Sequence, residues 1–224
     1  MQEQQEELVQ TWGYSSEVGS WMIDYLIGAN SDEPEKRFQN LIGVIKKIIS
    51  PLKKLHTLHQ VDFDLAVLGE TITEEGKIEE KEFLEFAELS ASSLDEVVPA
   101  FEKLKTTYPR FIITRISMDL NTKVREAKER EVVLPESAEL YISTDSNAIV
   151  GQKDGIYIRY STYIDVWLKE TLKSGVPRDN SNPAKLNYPR LEEFLLTVEK
   201  NLVGIFEKGE SYYYSNCLQR IGFA

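Results

Sequence analysis

Apolar residues recur with two different periods along this chain, and the changes of period divide it. Val18, Trp21, Met22, Tyr25 and Leu26 stand at i, i+3, i+4, i+7 and i+8, the spacing of one helix face, with Ser15 or Ser16 as N-cap and Gly28 as stop. Past Asn30-Ser-Asp-Glu-Pro34, Phe38, Leu41, Ile42, Ile45, Ile48 and Ile49 repeat the pattern, and Leu52 and Leu55 carry it beyond Ser50-Pro51. Proline lacks a backbone N–H and is best tolerated at a helix's first position, so a short second helix is predicted to restart at Pro51. Residues 1–60 are therefore expected to be helical.

From Val61 the period is two. Val61, Phe63, Leu65 and Val67 alternate with Asp62, Asp64, Ala66 and Leu68, the pattern of a strand with one wetter face. Thr73 to Lys77 reads as a turn and 78–89 as the returning strand. Ser93-Leu-Asp-Glu96 has the form of a capping box and predicts a helix to about Thr106, bent at Pro99. Phe111 to Leu120 is a strand with Ile112, Thr114, Ile116, Met118 and Leu120 on one face and Phe111, Ile113, Arg115, Ser117 and Asp119 on the other. Residues 122–131 fit an edge strand or an exposed helix. Glu139–Ser143 and Ala148–Val150 read as short strands, the second turning through Gln152-Lys-Asp-Gly155 into Ile156–Tyr160.

Ile164, Trp167, Leu168 and Leu172 return to helical spacing, closed by Gly175, and 175–189 reads as a long connection. Pro189 opens a last helix over 190–207 with Leu191, Phe194, Leu195, Val198, Leu202 and Ile205 inward, and 208–224 form a tail. The expected architecture is a single α+β domain over 1–224: N-terminal helices packed on a mainly antiparallel sheet in 61–174, with a C-terminal helix.

Composition adds bounds. The 42% hydrophobic and 10% aromatic content is ordinary for a folded chain, and no apolar run approaches the roughly 18–20 residues that span a bilayer, so no membrane is expected. The acidic opening Met1-Gln-Glu-Gln-Gln-Glu-Glu lacks the basic and apolar parts of a secretory signal, and a single cysteine, Cys217, fits a reducing compartment. A cytoplasmic location is the expectation.

Charge changes the picture most. Residues 1–35 carry eight acids and no base, residues 36–60 six bases and no acid, and residues 61–96 twelve acids against Lys77 and Lys81. The remaining 128 residues are nearly balanced, so the net −11 originates in the first 96. A pI near 4.8 argues against direct nucleic-acid binding and favours basic partners.

Candidate chemistry is sparse. No Gly-x-Ser-x-Gly elbow and no glycine-rich phosphate cradle occurs, so no catalytic residue and no cofactor is assigned. His56, His59, Asp62 and Asp64 have spacing compatible with one metal ion, which suggests a metal-dependent hydrolase as an alternative. Two histidines at a helix end and aspartates on a strand's wet side account for the same residues.

The preferred reading is an acidic binding protein that neutralises a basic protein partner, in the manner of an immunity protein for a toxin or an inhibitor of a nucleic-acid enzyme. Glu70, Glu74, Glu75, Glu79, Glu80, Glu82, Glu85 and Glu88 would present the charge, with Tyr157 and Arg159 as anchors on the strand face opposite Ile156, Ile158 and Tyr160. Two plainer readings compete: a solvated hairpin, or neutralisation by Lys46, Lys47, Lys53 and Lys54, which share one helix side. A structural subunit associating through Trp12, Trp21 and Tyr25 is a further alternative, and the oligomeric state stays open.

Overall fold

The computed structural model describes residues 12–14, 16–25, 34–73, 76–128, 130–144, 155–173 and 176–223, with 24–25, 34, 68–73, 76–83, 85–86 and 172–173 described by backbone alone. Strand β1 (Gly19–Tyr25) precedes helix α1 (Pro34–Leu55), the long hairpin β2 (His56–Thr73) and β3 (Gly76–Glu88), and helix α2 (Leu94–Thr107). Then come β4 (Phe111–Ala127), β5 (Arg130–Ser143) and β6 (Ile156–Thr162). A small hairpin, β7 (Glu170–Lys173) and β8 (Val176–Asp179), leads to helix α3 (Ser181–Leu202) and the short β9 (Glu207–Lys208). Seven strands form one antiparallel sheet in the order β3-β2-β4-β5-β6-β1-β9. The fold is α+β, as expected.

Register makes the sheet two-faced. One row runs Val61, Met118, Leu140, Tyr160 and Trp21, and the next Phe63, Ile116, Ile142, Ile158 and Ile23, all buried. Each apolar side chain so buried contributes about 1.5–3 kcal/mol of transfer free energy. Helix α1 packs on β2 and β4, α2 on β2 and α3 on β4, with α1 touching both other helices. The core lies between this layer and those rows.

Several expectations are corrected. The stretch read as a first helix is β1, where Gly19, Trp21 and Ile23 alternate inward. A short apolar run fits both periods, and pairing with β6 decides between them. The C-terminal tail then covers β1: Trp21 Nε1 donates to the Gln219 carbonyl at 3.0 Å, and a Cβ on Gly19 would come within 2.7 Å of the Phe223 ring. Ile164, Trp167 and Leu168 are buried from a turn, not a helix, because Asn180 Nδ2 donates to the carbonyls of Asp165 and Leu168. The stretch 175–189 is no long loop either, since β8 and the first turns of α3 occupy it; Ile205, expected inward, is exposed. The ambiguous 122–131 stretch is strand, and the short strand expected at 148–150 lies outside the described residues. At α2 the capping box is shifted: Ser93 makes no side-chain cap, and Ser92 donates from both its N–H and its hydroxyl to Glu96.

Helix α1 also runs unbroken through Pro51. The missing N–H of Pro51 would have bonded the carbonyl four residues back, that of Lys47, and Asn201 of α3 supplies the substitute, its Nδ2 donating to that oxygen at 2.9 Å. Tertiary contact thus replaces the lost helical bond. His56 begins β2 rather than ending a helix. The phase of β2 flips at His59, an extra residue opposite β4, so that His56 and Leu58 face inward before it and Val61, Phe63 and Leu65 after it.

His56 is enclosed. Its Nε2 lies 3.1 Å from the Tyr160 hydroxyl and its Nδ1 3.2 Å from Thr122 Oγ1, which is 2.7 Å from Ser137 Oγ. Ser137 donates to the Leu134 carbonyl at 2.8 Å, an oxygen that can only accept. Ser137 Oγ also stands as donor to Thr122 Oγ1, and one ring nitrogen of His56 donates while the other accepts in its bonds to Thr122 and Tyr160. The chain of bonds is complete with a neutral imidazole and ties β2, β4, β5 and β6 together. Burial, with Lys123 and Arg190 adding to it, pushes the His56 pKa down to about 3.

Two predictions follow from these contacts. Asn201→Ala should cost about 1 kcal/mol in denaturant unfolding, and much less in a Pro51→Ala background, where a backbone donor returns; equal costs would break the proposed link. Since the folded pKa of His56 lies below its unfolded value of about 6.5, only the unfolded chain takes up this proton on mild acidification. Stability is therefore intact above pH 6.5 and should fall by about 2 kcal/mol by pH 5. His56→Gln should start less stable and lose that slope; a retained slope would assign it to other groups.

Candidate protein-binding face

The face of the sheet turned away from the helices carries polar rows set by the same register. One row runs Gln60, Asp119, Glu139, Ser161 and Ser20, another Glu88, Asp62, Ser117, Tyr141, Arg159 and Met22, and a third Asp64, Arg115, Ser143 and Tyr157. Alternation along each strand puts these residues opposite the core, so burying the apolar rows displays the acids. Most of them are half-buried.

Internal partners hold several of them. Arg115 pairs with Asp64 at 2.7 Å, Arg159 with Glu17 at 2.5 Å, and Ser161 donates to Glu17. Glu139 accepts from Ser117 at 2.7 Å and from the Tyr163 hydroxyl at 3.0 Å. Asp119 stands directly across from Glu139, and its carboxyl is held above the usual carboxylate range, first by burial and then by Glu139 and Asp62; His59 opposes and Glu136 adds to the rise. Burial, with the neighbouring acids adding to it, disfavours the ionised form.

A bulge marks one border. Between Leu120 and Thr122 of β4, strand β5 inserts Pro135, Glu136 and Ser137, with Glu136 in the left-handed region at φ 45°. Asn121 Oδ1 accepts the Glu136 N–H at 3.0 Å, and the Thr122 N–H donates to Ser137 Oγ at 2.9 Å, so the strained turn is pinned from β4.

The other border is the β2–β3 hairpin. Pairing of β2 with β4 stops at Val67, whereas pairing with β3 continues to Thr73, so the hairpin runs on as a two-stranded ribbon of about six residues per strand, about 20 Å long. Glu70 stands across from Glu79, and Glu80 and Glu82 lie on the same outer strand of the sheet. Like charges facing across a strand pair disfavour it by a fraction of a kcal/mol.

The residues singled out in the sequence fall as follows. Glu88 is exposed at the end of an acidic row; Glu70, Glu79, Glu80, Glu82 and Glu85 are placed by backbone on the hairpin; Glu74 and Glu75 lie outside the described residues. Tyr157 and Arg159 stand on the outer face, Tyr157 edge-on to Tyr141 and Arg159 held by Glu17. Three of the α1 lysines pair with acids of the other helices: Lys46 with Glu102, Lys53 with Asp95, Lys54 with Glu193. His56, His59, Asp62 and Asp64 do not converge. His56 is in the core, His59 Nε2 is 3.5 Å from Glu136, Asp62 accepts from Gln60 and Asp64 is paired. Among the described residues no group of three or more His, Cys, Asp or Glu could hold a metal ion. Trp12 and Trp21 are buried in their own fold, and the Tyr25 side chain lies outside the description.

Asp119 of β4 and Glu136 and Glu139 of β5 are not legible as one site in the sequence, because the two strands meet only in the sheet. The available signal was the alternation Arg115, Ser117, Asp119 against an apolar face.

No family model, no curated protein and no solved structure matches this chain. No described helix is long and apolar enough to cross a membrane.

Because the Asp119 carboxyl is raised in the folded state, its charged form opposes folding above that pKa and the cost is relieved as pH falls through it. Asp119→Asn should therefore raise Tm at pH 7, with the gain vanishing near pH 3 and shrinking in 0.5 M salt. A lower Tm at pH 7 would show that the carboxylate contributes a stabilising contact instead.

Proposed function

We propose that this chain is a protein-binding protein that neutralises a basic protein partner, of the kind an immunity protein forms with a toxin or an inhibitor with a nucleic-acid enzyme. The observation that carries the reading is the placing of Asp119 across from Glu139, with Asp62 in the neighbouring row, on a sheet face turned away from the described helices: a cationic partner would relieve the repulsion of these acids. The acidic β2–β3 ribbon continues that field past the sheet, while Lys46, Lys53 and Lys54 of α1 pair with acids of α2 and α3. Exposed pairs of that kind contribute little, about 0–1 kcal/mol each, but they keep the lysines from cancelling the acidic side. A single cysteine fits action in a reducing, cytoplasmic setting.

The test is affinity capture with the full chain, comparing wild type with a Glu70→Gln, Glu79→Gln, Glu80→Gln, Glu82→Gln variant and with Asp119→Asn. Captured proteins should have a pI above about 9, be released by 0.5 M salt, and be recovered at least tenfold less by the ribbon variant. Partners that are acidic, or capture indifferent to salt and to these changes, would overturn the proposal.

A further inference from the structure

A cavity of about 390 Å³ opens beside the β5 bulge, between Pro135, Glu136 and Ser137 on one side and Tyr14 and Tyr163 on the other. That size is at the low end for ligand sites, suited to one side chain rather than a cofactor. Its walls are tied together: the Tyr14 N–H donates to the Tyr163 carbonyl at 2.8 Å, the Tyr163 N–H to the Ser137 carbonyl at 2.9 Å, and Gly13 bridges to Ile164. The site exists before anything binds.

Its electrostatics select a cation. Glu136 lines the cavity with its Oε1 3.5 Å from His59 Nε2, and both tyrosine hydroxyls donate to acids, Tyr163 to Glu139 at 3.0 Å and Tyr14, which also bonds the Tyr214 hydroxyl, to Asp165 at 2.7 Å. A phenol that donates to a carboxylate presents an electron-rich ring, the face to which ammonium and guanidinium groups are drawn. Both hydroxyls are held above the ordinary tyrosine range, by burial first and then by acidic and tyrosyl neighbours. Arg159 acts in the opposite sense on Tyr163, but it is paired with Glu17. Glu136 keeps its place at φ 45°, where glycine would be easier, and strain retained beside a cavity is characteristic of a binding position.

Resting on the reading of a basic partner, we infer that this cavity is the anchor of that interface and takes one lysine or arginine side chain of the partner, with Glu136 as counter-ion and the Tyr14 and Tyr163 rings as walls.

Amide NMR titration of the full chain with n-butylammonium and n-butylguanidinium, against neutral n-butanol, tests it. Saturating shifts at Gly13, Ser137 and Ile164 with a Kd on the order of 1–10 mM are expected for the cations only. Glu136→Gln should weaken them about threefold to fivefold, the range for one exposed ion pair, whereas the four-glutamine ribbon variant should leave them within twofold. Glu136→Gly should lose the same binding yet raise Tm by about 2–4 °C, which separates lost recognition from lost folding. Capture of the basic partner should fall with Glu136→Gln and be competed by n-butylammonium. Equal response to n-butanol, or shifts unchanged in Glu136→Gln, would overturn the cavity's role while salt-sensitive capture left the broader reading standing. Probe binding together with undiminished capture by Glu136→Gln would assign the cavity to free amines and overturn the anchor. Probe binding with no basic partner captured would overturn the basic-partner reading and the anchor with it, leaving only a small-cation site.

Discussion

The register of β2, β4, β5, β6 and β1 governs both halves of this molecule, because side chains alternate strictly and a slip of one residue would exchange the two faces. In the observed register Val61, Met118, Leu140, Tyr160 and Trp21 meet the helices, and Asp62, Ser117, Tyr141 and Arg159 meet solvent and one another. The hydrogen-bonded chain through Tyr160, His56, Thr122 and Ser137 crosses four strands inside the core, where an unsatisfied polar group costs about 1–3 kcal/mol. Any other register would strand at least one of these groups. Polar chemistry in the core thus reinforces an alignment that apolar burial already favours.

Bulges adjust this alignment locally. His59 flips the phase of β2, Thr114 is an extra residue in β4 opposite β2, and Pro135 to Ser137 loop out of β5. At each place a residue leaves the ladder and the strand turns more sharply. Two of the three flank one small area, where His59 reaches Glu136 and the tyrosine-lined cavity opens. The acidic face, the ribbon and the cavity are consequences of strand geometry rather than of an added loop or insertion.

The helices serve mainly as a cover. Their exposed lysines pair with acids on neighbouring helices, the Pro51 gap is closed by Asn201, and Arg190 and Lys123 donate to carbonyls at the end of α1. Helices α1, α2 and α3 carry eleven Lys and Arg against seven Asp and Glu, so the net negative charge of the chain lies outside them. That division gives an acidic protein with one polarised surface instead of an evenly repelling one.

Much was legible in the sequence where a pattern was long or local: the α1 stripe from Phe38 to Leu55, the alternation from Val61, the span of α2, the inward face of α3 and the α+β class all follow from periodicity that few alternatives satisfy. The charge blocks were equally plain, since they need no structure to be counted. What only the tertiary structure decided were the elements whose local signal fits two periods. Residues 19–25 are a strand because β6 and the tail are there to pair with and cover them, and Ile164 to Leu168 are a turn because Asn180 takes up their carbonyls. The acidic face was hidden for the same reason: Asp62, Asp119 and Glu139 are 57 and 20 residues apart in sequence and become neighbours only through hydrogen bonds between strands. Periodicity is a property of neighbours along the chain, whereas a site on a sheet is a property of neighbours across it.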